Sequence, residues 1–179
     1  MALTEGTKDH LLAALDSYGS GTGREYDELF YEVHNRISEA GDAGKMDIAA
    51  ITFWKRSGQG KWIGDLLRRP EVEVRAATRA GFTAGDDRAA LTALAELPGF
   101  KRQEAIATAL LCACDPMRFG VMDRRALKAL ALMGRGVGSS RGMTIRYLET
   151  IRGLRDEVAA SRPGTTARDI DKALFMLGG

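Results

Sequence analysis

A chain of 179 residues, 45% hydrophobic and 28% charged, has enough apolar content for an ordinary folded core, which excludes disorder throughout. Its longest apolar runs, such as 109–114, fall far short of the roughly 20 residues of a membrane span, and the N-terminal stretch lacks a basic-then-apolar signal layout, so a cytoplasmic protein with no membrane association is expected. The net charge of +2 is uneven: residues 1–50 carry net −6 and residues 51–179 net +8, which suits a protein with one anion-facing surface.

No stretch alternates β-branched or aromatic residues with polar ones, whereas apolar residues recur at helical spacing throughout. The spacing predicts a first helix from Thr7 to Ser17 on Leu11, Leu12 and Leu15, broken by the glycine-rich 19–23. A second runs from Arg24 to Ala40, with Tyr26, Leu29, Phe30, Val33 and Ile37 in register and Gly41 as its stop. Met46 to Lys55 follows, carrying Ile48, Ile51 and Trp54, and then a short helix over Trp62 to Leu67. Pro70 opens a helix to about Phe82 at a first-turn position. Asp86 caps the next, whose core face is Leu91, Leu94 and Leu97. Beyond Pro98-Gly99 lies a strongly apolar helix from about Gln103 to Cys114. Asp123 is placed to cap a helix through Leu132, a long helix spans Met143 to Ala160, and Thr166 with Asp169 forms a capping box for the last. About ten helices with short links and no fixed repeat make an all-α fold, read as one domain over 1–179.

Two features carry chemistry. The turn Leu97-Pro98-Gly99-Phe100-Lys101-Arg102 sets backbone amides at the start of the following helix, where unsatisfied donors and partial positive charge suit a phosphate. Lys101 and Arg102 add mobile charge beside it, although a plain helix–helix connection reads the same way. Asp123, after Phe119-Gly120-Val121-Met122, is either an ordinary N-cap or a carboxylate held at the mouth of a cleft. His10 and His34 have no partner at nucleophile or metal spacing. Cys112 and Cys114 make neither a metal set nor a disulfide framework, so no metal, cofactor or iron–sulfur cluster is expected. The loop Gly134-Arg135-Gly136-Val137-Gly138 follows a helix rather than a strand, which argues against a nucleotide loop.

Taken together, the turn and the spaced aspartate resemble the helix–hairpin–helix superfamily of DNA glycosylases, the group of endonuclease III and the adenine glycosylases. Leu97-Pro98-Gly99-Phe100 matches the hairpin, Ala105, Ala107 and Ala109 the small-residue helix, and Asp123 the aspartate. The chain looks closer still to small bacterial members of that group in three places. These are Trp54-Lys55, Asp115-Pro116-Met117-Arg118-Phe119, and Arg168-Asp169-Ile170-Asp171-Lys172-Ala173-Leu174. The likeness is strong over about 86–134, weaker at 46–82 and 166–177, and absent over 1–23.

It departs from the family in that Lys101 or Arg102 takes the place of the second hairpin glycine, Gln103 stands where the lyases carry a lysine, and the C-terminal cysteine cluster is missing. The resemblance implies a compact, two-lobed helix–hairpin–helix fold that binds double-stranded DNA and flips a base into a pocket between the lobes. It implies a hydrolase of base-excision repair with Asp123 as the catalytic carboxylate, Gly99, Lys101, Arg102, Lys55, Arg56, Arg124 and Arg125 at the DNA backbone, Trp54 and Tyr26 as aromatic faces for the flipped base, and base removal without strand cutting. A non-catalytic DNA-binding module of the same fold, or a protein-interaction helical domain suited by the acidic front, are the alternatives.

Overall fold

A computed structural model describes residues 4–20, 24–56, 61–102, 104–139 and 141–179, with the backbone alone at 19, 20 and 24–26. The described residues form ten helices and no strand. They are α1 (Glu5–Ser20), α2 (Arg24–Ala40), α3 (Lys45–Trp54), α4 (Lys61–Arg68), α5 (Glu71–Phe82), α6 (Asp87–Leu94), α7 (Glu104–Cys114), α8 (Arg124–Leu132), α9 (Met143–Ala159) and α10 (Ala167–Leu177). None of the described helices is long and apolar enough to cross a membrane. They fall into two compact units, Glu25–Asp115, and Met1–Arg24 with Pro116–Gly179.

The unit Glu25–Asp115 is built around α7. Its residues Ile106 to Ala113 are all buried, as a helix apolar on every side must be. Helices α3 and α5 lie against it, and α6 lies against α5. Glycine at 81 permits that last approach, because a Cβ there would sit 3.0 Å from Leu94 Cγ and 3.3 Å from the Ala90 carbonyl. His34 Nδ1 donates to the Ala113 carbonyl at 2.7 Å, satisfying one of the acceptors left over at the end of α7. The link between α2 and α3 is held by α5. The Thr78 hydroxyl accepts from Ala43 N at 2.9 Å and donates to the Ala43 carbonyl at 2.8 Å.

Asp42, 4% exposed, receives Arg75 on one oxygen and Arg79 on the other. The hydrogen bond to Asp42 raises the proton affinity of the Arg75 guanidinium above the ordinary arginine value, outweighing its partial loss of hydration. A raised basic pKa contributes fully below the ordinary value and is lost only above it, so this link is constant across the neutral range. Asp86 caps α6, accepting from Ala89 N at 2.8 Å. Pro70, expected within the first turn, is instead the N-cap of α5, with ψ at 138°.

In the unit of Met1–Arg24 with Pro116–Gly179, α10 is covered by α1, α8 and α9. The core is Leu11 of α1, Ala126, Ala129 and Leu130 of α8, Tyr147, Leu148, Ile151 and Leu154 of α9, and Ile170, Ala173 and Leu174 of α10. Tyr18 meets Phe175 edge-on at 6.5 Å. Thr166 and Asp169 form the reciprocal capping box that starts α10. The first helix runs to Ser20, three residues past its expected end at Ser17, and ends within the glycine-rich 19–23.

Candidate nucleic-acid interface

The hairpin lies in Glu25–Asp115, joining α6 to α7. Leu97 and Phe100 are its anchors, 5% and 3% exposed. Between them the chain reverses at Gly99, whose φ of +87° lies in the left-handed region that favours glycine. The reversal is closed by Phe100 N donating to the Leu97 carbonyl at 3.2 Å and Arg102 N to the Gly99 carbonyl at 2.9 Å. A second demand falls on the same glycine, because a Cβ would meet Trp62 Cγ at 2.6 Å. The indole also meets Phe100 edge-on, with ring centroids 6.1 Å apart.

Trp62 is therefore the floor of the turn rather than a free aromatic face. Its Nε1 is buried with no acceptor among the described residues. Lys61, Lys101 and Arg102 are exposed, the first beside Trp62 and the others just past the turn. Contact between Trp62 and Gly99 sets the start of α4 against the turn, a juxtaposition that the sequence spacing did not disclose. Gln103 lies outside the described residues.

Trp54 ends α3 in the same unit. It is half-buried, its ring 5.0 Å from that of Phe30 and tilted by 45°. Phe30 in turn meets Tyr31 edge-on at 5.8 Å. Lys55 is half-buried and Arg56 exposed. Arg56 has φ of +51°, the left-handed position after a helix end that usually goes to glycine. For Tyr26, the other base-facing candidate, only the backbone within α2 is described.

Asp123, Arg124 and Arg125 lie in the other unit. Asp123 is half-buried and is the N-cap of α8, its Oδ1 accepting from Arg125 N at 2.8 Å. Arg124 and Arg125 are exposed. Arg125 nonetheless has a place in the fold, its guanidinium 4.7 Å from the Phe175 ring centroid. The cleft of about 470 Å³ in this unit is lined by Tyr18 and Arg162 and by Asp169 and Lys172 of the C-terminal motif, and takes in none of the candidate catalytic, DNA-backbone or base-facing residues. Among the described residues no three His, Cys, Asp or Glu side chains are grouped to hold a metal.

No protein-family model, curated protein or solved structure matches the chain.

Proposed function

We propose that this chain is a DNA-binding protein of the glycosylase type, removing a base from its sugar without cutting the strand. The observation that carries the reading is the hairpin. Buried Leu97 and Phe100 clamp it, Gly99 turns on the Trp62 ring, and Lys101 and Arg102 are exposed on the segment that leads into α7. A phosphate is the ligand that such a corner suits, through amides, the helix N-terminus and side-chain charge together.

In this reading Lys101, Arg102 and Lys61 hold the backbone of double-stranded DNA. Asp123 stabilises the positive charge that develops on the sugar of a flipped nucleotide, or orients a water toward its anomeric carbon. A lysine amine is the strand-cutting nucleophile of the lyases, and Gln103 has none to offer. A second reading, the non-catalytic DNA-binding module, draws on the hydrogen bond between Asp123 and Arg125 N, which is also what a plain N-cap makes.

Fluorescence anisotropy separates the two, with one intact duplex and one carrying a stable abasic analogue, each across a salt series. The glycosylase reading expects tighter binding to the abasic duplex. It also expects Asp123→Asn to abolish base release from a lesion panel with affinity unchanged. Equal, salt-steep binding to both duplexes with no base release supports the module instead, and no binding at low salt removes both.

A further inference from the structure

The C-terminal motif Arg168-Asp169-Ile170-Asp171 has no task in the proposed chemistry, yet it grips the segment that leads to Asp123. Residues 115–123 are irregular, and Phe119, Val121 and Met122 within them are buried. Buried irregular backbone must find partners for its polar groups. Pro116 O accepts from Arg168 N at 3.1 Å, Met117 O from Arg155 Nη1 at 2.5 Å, and Val121 O from the Tyr147 hydroxyl at 2.9 Å.

Tyr147 is fully buried, and its hydroxyl also lies 3.2 Å from Asp171 Oδ1. The other Asp171 oxygen takes the Arg168 guanidinium, and both residues are buried. At Gly120 the segment comes so close to α9 and α10 that a Cβ would sit 3.2 Å from both Asp171 Cβ and Ile151 Cγ2. A buried ion pair is a poor stabiliser, because desolvation of the two charges offsets most of their attraction. Its return here is fixed geometry: Arg168 orients Asp171, and the Tyr147 hydroxyl, with a single proton for two acceptors, is held between Asp171 Oδ1 and the carbonyl of Val121, close along the chain to Asp123.

We propose that Asp171 and Tyr147 are positioning residues for the Asp123 carboxylate. The inference rests on the reading of Asp123 as the catalytic group. Misplacing a reacting group by about 1 Å costs on the order of 100-fold in rate, which is the scale of effect expected.

The test uses the full chain and Tyr147→Phe, which keeps the ring and removes the hydroxyl. NMR amide exchange at Arg125 reports whether the Asp123 carboxylate still sits on that amide. Exchange about tenfold faster is expected there, with α9 and the rest of α10 protected as before. Single-turnover base release should fall on the order of 100-fold while affinity for the abasic duplex is unchanged. Wild-type exchange at Arg125 overturns the proposal, as does wild-type base release in the variant. If the unaltered protein releases no base from any lesion, the catalytic reading falls, and the exchange result alone still decides whether Tyr147 fixes that carboxylate. Should Tyr147→Phe fail to fold, Tyr147→Met, which also removes the hydroxyl and leaves the Arg168–Asp171 pair intact, carries the same comparison.

Discussion

Gly99 meets two demands at once, a left-handed backbone and a ring where its side chain would be. Gly99→Ala is expected to lose about 2–4 kcal/mol of stability in urea denaturation. Combining it with Trp62→Leu should recover part of the loss, since one of the two demands is then relaxed. The pairing also marks what could be read from sequence at this scale. Asp86, Asp123 and Thr166 are legible as caps because a cap acts within a few residues of itself. Trp62 was legible only as the start of a short helix. Its contact with Gly99 crosses α5 and α6, and no local period encodes it. The two conditions on Arg125, exposure and a place over Phe175, are hidden for the same reason.

At the scale of elements, the hairpin and α7 form the part of the candidate interface with the clearest prediction. Replacing Lys101 and Arg102 by Gln should weaken binding to intact and abasic duplexes alike. The slope of log affinity against log salt should become shallower by about one for each phosphate that is no longer neutralised. If the slope is unchanged, the two side chains do not touch phosphate. Ten helices were legible because apolar residues recur at helical spacing in each. Their ends were less so. Helix α1 ends at Ser20 rather than Ser17, because glycine in a final turn costs only about 1 kcal/mol. Pro70 fell one place outside its expected position, since its ψ of 138° suits a cap and not a first turn.

Across the whole molecule, the division by charge and the division by packing do not coincide. The acidic stretch 1–50 supplies α1 to one unit and α2 with the start of α3 to the other. Nor is α1 an appendage, although the resemblance to helix–hairpin–helix enzymes does not reach it. Leu11 is 1% exposed, and α1 covers α10, the helix that carries Arg168 and Asp171. Leu11→Ala is expected to cost about 3 kcal/mol, read as a lower urea midpoint. The separation of α1 from α10 in the chain is what kept this pairing out of reach of sequence patterns.

That separation has a consequence for the order in which the protein is made. The segment Glu25–Asp115 is continuous, so its contacts can all form while the remainder is still on the ribosome. The other unit is assembled from two separated segments, and α1 is made well before α10, the helix it packs against most extensively. Until α10 is made the Leu11 face of α1 is an open hydrophobic stripe, the surface on which a chaperone would act.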